Sequence, residues 1–444
     1  MAGLPRRRSR AAAVCLLMAL ATAVASAAED RISTIAGLRA ALAAASARTV
    51  IRLAPGEYVL DGPLVIPDRV ELIGSGRMAI GPGGRATGMQ PDGLSVLSVR
   101  GVWSGNAIEL GHRSALRRLR VVDEAGAGDA ATDGMMRNLV VVSSRGPNDV
   151  VEASIEDSEL VTRQSFGVGY ADPLGRAIGV WTRNPRESGP AHSGAAVTLA
   201  LRRSVVSAPD SNALMAINFA ERGTATVRIR DSRLEGALSA AAGTSRPDYV
   251  TGATTTIQSS NTEYLATGGF FRVGWHLFGG SGAPHPGLGS PPGADDNRLR
   301  MESAGDRIEG FQVGILAAAG RRVGGLSGPS SGNRLELETK DLVIVTEGER
   351  AADVLWYGAL AESARGGNER LPPGAGNLMT VRMTRTIGSG PRANRYADLE
   401  GAAAGSPDES GNRLQVLGSP AGFRRQNPGV SPAPGDELFI ERAP

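Results

Sequence analysis

In Ile51-Arg52-Leu53-Ala54-Pro55-Gly56-Glu57-Tyr58 the apolar side chains fall on alternate positions and the run stops at Ala54-Pro55-Gly56. The same happens in Val70-Glu71-Leu72-Ile73, which stops at Gly74-Ser75-Gly76, with Leu64 to Ile66 between them. A period of two bounded by turn residues marks strands, and these are only three to five residues long. None is long enough for a sandwich strand pair joined by a hairpin, so hairpins are not expected here. Just upstream the period is different. Ile35, Leu38, Leu42 and Ala45 fall on one face at helical spacing in an alanine-rich segment, with Ser33 or Thr34 available as N-cap. One short helix followed by many brief strands is the expected order.

Two phrases recur downstream. The first reads Ile155-Glu156-Asp157-Ser158-Glu159-Leu160, Leu201-Arg202-Arg203-Ser204-Val205-Val206 and Ile229-Arg230-Asp231-Ser232-Arg233-Leu234, and more faintly Ile257-Gln258-Ser259-Ser260. The second is an Asn followed by an apolar or Arg-apolar pair, at Asn297, Asn333, Asn377, Asn394 and Asn412. Intervals of 28 and 28 residues fit one coil of a solenoid, and the longer ones, 46, 36 and 44, fit one coil or two. Stacked coils share a core that no single coil can form, and the small polar residues line up at the bends, where their side chains bond local backbone. Ile155, Leu201, Ile229 and Ile257 are expected inside, Arg228 and Arg230 outside. The N-terminal helix covers the open end of the stack.

Composition fits this reading. Sixty glycines and 26 prolines are spread through 444 residues with no long linker, so one domain over 28–444 is expected rather than several. Residues 1–27 have the parts of an export signal: Arg6, Arg7, Arg8 and Arg10, an apolar stretch, and small residues at Ala25 and Ala27. The apolar run Ala11 to Val24 is short for a membrane span, so no integral membrane segment is expected after cleavage. Removing four arginines takes the basic count from 48 to 44 against 45 acids, a net charge of −1. The apparent basicity therefore belongs to the signal and gives no reason to expect nucleic acid as a partner. Cys15, the single cysteine, leaves with the signal, so the mature chain has no disulfide. A secreted or periplasmic location follows from the signal.

The helix and the sequence Ile51 to Tyr58 and Val70 to Gly76 resemble the opening of pectin-lyase-like proteins, in which a cap helix precedes a "Leu-x-Pro-Gly-x-Tyr" coil and a "Leu-x-Gly-x-Gly" turn. The resemblance implies an all-β fold, a single right-handed parallel β-helix with a short N-terminal capping α-helix. It implies no particular reaction, because that superfamily contains polysaccharide lyases, hydrolases, esterases and epimerases as well as binding and structural proteins. The site patterns of its enzymes are incomplete here. Arg183-Asn184-Pro185-Arg186 is similar to a pectate-lyase-like motif, but Ser188 stands where its second arginine belongs. Asn261-Thr262-Glu263 and Asp295-Asp296 are similar to polygalacturonase-like motifs, but Glu263 departs from the pattern and Gly-His-Gly is absent. Of an epimerase-like Asp-Pro-His-Asp only Asp172-Pro173 is present. Calcium enters only as what the resemblance implies, and the residues assign no metal.

The densest group of chemistry-bearing residues outside the strand rhythm is the loop Tyr170 to His192. His192, Asp172 and Arg176 are the candidate catalytic residues there, with Tyr170, Trp181, Arg183 and Arg186 as candidate substrate contacts. Arginine forks match uronate carboxylates, an aromatic ring stacks on a sugar, and histidine serves as base near neutral pH. An ordinary solvated loop has the same composition. A second group is Trp275-His276 and His285 with Asp295-Asp296, whose spacing matches no metal-ligand pattern. The expected function is an exported protein that binds an acidic polysaccharide, with cleavage or epimerisation open. The alternative is a non-catalytic structural, envelope or adhesion module.

Overall fold

The computed structural model describes residues 31–100, 103, 105–124, 137–163, 177–183, 192–245, 250–267, 273–282, 293–323, 328, 330–348, 351–362, 374–388, 394–401, 411–419, 423–424 and 437–442. The chain enters as a strand-like bridge from Ile32 to Leu53 and then forms the helix Ile35–Ala44. Of the two possible caps the structure uses Thr34, whose hydroxyl accepts the Gly37 N–H at 3.1 Å. Leu38 and Leu42 are the buried face, packed on the first strands. Tyr58 reinforces this end, since its hydroxyl donates to the Ile32 and Ala54 carbonyls.

From there the chain winds as a right-handed parallel β-helix. One sheet has 12 strands, from Val50–Arg52 to Glu437–Arg442, all parallel, each bonded to the equivalent strand one coil away. Among the described residues a second sheet of 19 strands lines the other sides of the coil. The coil that begins at Thr224–Arg230 shows the plan. Asp231 bends the chain at φ 52°, Arg233 to Glu235 run along a short side, Gly236 at φ 130° bends it again, and Ala237 onward forms the third side before Thr254–Ser260 starts the next coil. A Cβ at Gly236 would stand 2.5 Å from the Ala208 carbonyl oxygen, so this corner requires glycine. The hairpin Met78–Ile80 with Ala86–Met89 is antiparallel. Its turn lies along the bends of distant coils, where Arg85 donates to the carbonyls of Asn261 (3.2 Å) and Gly305 (2.8 Å).

The recurring phrases sit where two bends are needed, with corrections of register. Ile155, Leu201 and Ile229 are direct partners in successive coils and are buried. Ile257 is also buried, but it pairs with Val227, and Ser259 is the partner of Ile229. The fourth member of the first phrase is therefore Ser259-Ser260-Asn261-Thr262, shifted by two residues from the expected one, and Asn261 takes the left-handed bend (φ 50°) of Asp157, Arg203 and Asp231. Arg228 and Arg230 are exposed. The 46-residue interval is also one coil and not two, because Glu156 pairs directly with Arg202, and the extra length lies between strands.

Asn297, Asn333, Asn377 and Asn412 form a buried ladder. The side-chain oxygens of Asn333, Asn377 and Asn412 each accept the backbone N–H of the asparagine one coil before, at 3.0 Å, and its side-chain amide at 3.0 to 3.2 Å. The room for it comes from a column of glycines: a Cβ on Gly243, Gly280 or Gly320 would come within 2.4, 2.4 or 2.7 Å of Asn297, Asn333 or Asn377. Asn394 is not a rung. It lies in the strand Asn394–Gly401 on another side of the coil, paired with Ala352.

Candidate functional site

Of the expected loop, Tyr170, Asp172, Arg176 and Arg186 lie outside the described residues. Trp181, Arg183 and His192 are described, and all three are buried. Trp181 ends the strand Ile178–Trp181 and folds over Gly179, with its ring 6.0 Å from that of Phe219. His192 precedes the tight turn into the next strand, and its Nδ1 lies 3.1 Å from the Ser144 hydroxyl. Trp181 thus has its ring against protein, where sequence reasoning expected a face open to a sugar. Outward position on a strand does not guarantee exposure once a neighbouring side chain covers it.

The second group is dispersed as well. Trp275 is a core side chain, in edge contact with Tyr264 at 5.3 Å, and Trp356 is core too. His276 points the other way, its ring 4.5 Å from Phe278, while Arg321 stacks on the Phe278 ring at 4.3 Å. His285 lies outside the described residues. Asp295 and Asp296 shape a turn, Asp295 by accepting the Ser331 N–H at 2.6 Å and Asp296 by its left-handed φ of 54°. Among the described residues no three His, Cys, Asp or Glu side chains converge as a metal site.

One buried carboxyl stands out inside the coil. Asp306 occupies the bend position that holds Ser232 and Thr262 in the preceding coils, and it accepts the Thr262 N–H (2.8 Å) and the Ser303 hydroxyl (2.7 Å). Burial pushes its carboxyl from the ordinary 3.8 up to about 6, although hydrogen bonds from Ser303, Thr262 and Ser259 and the charge of Arg85 oppose this. It is buried and ties its own coil to the preceding one, through Ser303 and Thr262, so its role is structural. The folded chain keeps a proton that the unfolded chain releases between 3.8 and about 6, so the contribution of Asp306 to stability is complete below 3.8 and is lost as pH rises through about 6. Urea unfolding of the natural chain at pH 4 and pH 7 is expected to differ from that of Asp306→Asn by about 2 kcal/mol in pH response. An identical pH response in the variant would remove Asp306 as the cause.

An open, charged site lies on the outer face of the 12-stranded sheet, near its N-terminal end. Five arginines and two glutamates surround a trough of about 540 Å³: Arg48, Arg69, Arg113, Arg117 and Arg228, with Glu71 and Glu152. Its floor is made by Ala115, Ser154 and Ala200, which are register partners in successive coils and leave a depression because their side chains are short. Arg117 is held by Glu71 (2.8 Å) and Glu156 (3.6 Å), and Arg113 by Glu152 (3.3 Å). Arg48 and Arg69 are exposed and have no ion pair among the described residues. Sequence reasoning missed this site because its residues come from coils more than a hundred positions apart. The only local signal was an arginine just ahead of three successive strands, and nothing in one sequence shows that the three align.

No known family matches the chain, and no curated protein does. Solved structures similar to it include the Dettilon tailspike protein (10% identity, TM-score 0.35, covering 92% of this chain and 64% of that one). They also include polygalacturonase from Erwinia carotovora ssp. carotovora (11% identity, TM-score 0.44, 94% of each chain). The A-module of mannuronan C-5 epimerase AlgE6 from Azotobacter vinelandii is a third (11% identity, TM-score 0.41, 92% of this chain and 95% of that one). This chain thus spans just under two thirds of the length of the tailspike chain.

Proposed function

We propose that this chain, exported by its N-terminal signal, binds an acidic polysaccharide. The observation that carries this reading is the trough on the 12-stranded sheet, where five arginines outnumber two glutamates and three of the five, Arg48, Arg69 and Arg228, lack an acidic partner among the described residues. Guanidinium groups take carboxylates through paired, charge-assisted hydrogen bonds, and a shallow floor of Ala and Ser admits a sugar chain without a clash. The loop Tyr170 to His192 remains a second place for the ligand. If turnover occurs there, His192 is the base, and His192→Ala abolishes turnover while binding survives.

The test is titration of the mature protein with polyuronates and with their neutral methyl esters, followed by assay for unsaturated products and new reducing ends. Binding of the acidic polymers alone, weakening as salt is raised, is expected. Loss of that binding in the double variant Arg48→Ala, Arg69→Ala assigns it to the trough; loss only in Arg176→Ala assigns it to the loop. No binding of any acidic glycan at millimolar concentration ends the proposal and leaves the non-catalytic module as the better reading.

A further inference from the structure

Around the trough, arginines recur along the helix axis at a fixed interval. Val50, Glu71 and Ala115 are register partners in three successive coils, and Arg48, Arg69 and Arg113 each stand two residues before them. Neighbouring strands of a sheet are about 4.8 Å apart, so the three side chains start from points separated by that distance. This is close to the advance per sugar of an extended glycan. We propose that the ladder Arg48, Arg69, Arg113 takes one anionic group per coil, so that the ligand is a polymer with a carboxylate or sulfate on every sugar, lying along the helix axis. This rests on the acidic-polysaccharide reading and adds to it the direction and the charge spacing of the ligand.

The backbone supplies an independent argument. Arg48, Arg69 and Arg113 have φ of 70°, 60° and 56°, a conformation that costs a side-chain-bearing residue more than glycine. At the same turn later coils place Gly194, Gly252, Gly332, Gly376 and Gly411, and in the others Asn148, Arg222 and Asp296. The turn itself therefore does not call for arginine. On the opposite bend, left-handed arginines are used to pair coils: Arg203 grips Asp157 through two bonds of 2.6 and 2.7 Å, and Arg385 grips Asp341 likewise. Arg48 and Arg69 make no such pair, so their strained position serves no neighbour in the stack among the described residues. The ladder ends at Arg113, because the next left-handed residue is Asn148.

The experiment compares three ligands at equal total charge: oligomers with a carboxylate on every sugar, oligomers with a sulfate on every sugar, and a glycan charged on every second sugar. The natural chain is expected to bind at least one of the first two about tenfold or more tightly than the third, with affinity rising up to three charged sugars and then levelling. Arg69→Gly is expected to lose that preference, with a thermal midpoint within about 3 °C of the natural chain because glycine suits the turn. Arg222→Ala, at a left-handed turn outside the trough, is expected to keep it. Equal binding of the alternately charged glycan, or an unchanged preference in Arg69→Gly, overturns the ladder while leaving the acidic-polysaccharide reading in place. Absence of binding by all three overturns both.

Discussion

Asn333→Ala is expected to destabilise the protein by about 3 to 5 kcal/mol, read as a fall in the urea midpoint at unchanged slope. Asn333 is fully buried and bonds on both sides. Its side-chain oxygen accepts the Asn297 N–H at 3.0 Å and the Asn297 amide at 3.2 Å, while its own N–H and amide donate to Asn377 at 3.0 and 3.2 Å. Alanine leaves the Asn297 N–H with no acceptor in a place water does not reach, and an orphaned buried donor costs more than a typical hydrogen bond contributes. Nothing can move in to replace it, because the facing Gly280 has no side chain and cannot gain one without a clash at 2.4 Å. In a solenoid each coil touches only its neighbours, so hydrogen exchange is expected to accelerate first in the strands Arg298–Ala304 and Arg334–Lys340. A loss below about 1 kcal/mol would mean that the ladder is an alignment of side chains without energetic weight.

The second large effect is expected at Ile229→Ala, a loss of about 2 to 5 kcal/mol. Ile229 is 1% exposed, with Leu201 as its partner in one adjoining coil and Ser259 in the other. Removing three carbons forfeits their transfer energy and leaves a cavity, which the backbone cannot close because both flanking strands are tied by ladder hydrogen bonds. Arg230→Ala, one residue on and exposed, is expected to change stability by no more than about 0.5 kcal/mol. Equal effects for the two variants would show that the inward and outward faces of this strand had been exchanged.

The alternation in Ile51 to Tyr58 and the helical spacing of Leu38 and Leu42 were sufficient to place a cap helix before a stack of short strands, because such periods depend only on neighbours along the chain. The repeats Asp157-Ser158, Arg203-Ser204 and Asp231-Ser232 located one bend of the coil for a similar reason, since a residue at left-handed φ and the hydroxyl after it form a local unit. Register was legible where a column keeps its residue type, as at Ile155, Leu201 and Ile229, even though the intervals differ. Ile257 was aligned two residues off because Ser259 breaks the apolar column at a place where the core turns polar, around Tyr264 and Asp306. Asn394 imitated a rung of the asparagine ladder although it belongs to another side of the coil.

The candidate site was the least legible part, for a physical reason. A loop rich in Tyr, Trp, Arg and His announces itself by composition, yet composition does not reveal whether a side chain is covered, and Trp181, Arg183 and His192 are. The trough is the reverse case. Arg48, Arg69, Arg113 and Arg228 are unremarkable one at a time, and they become a single charged surface only because parallel pairing carries Val50 to Glu71, Ala115, Ser154, Ala200 and Arg228 in one column. Local periodicity and turn chemistry thus determined a stack of coils with a capped end. Which residues from distant coils share a face was decided by loop lengths between strands, because each added or missing loop residue changes the sequence distance between partners without changing the fold.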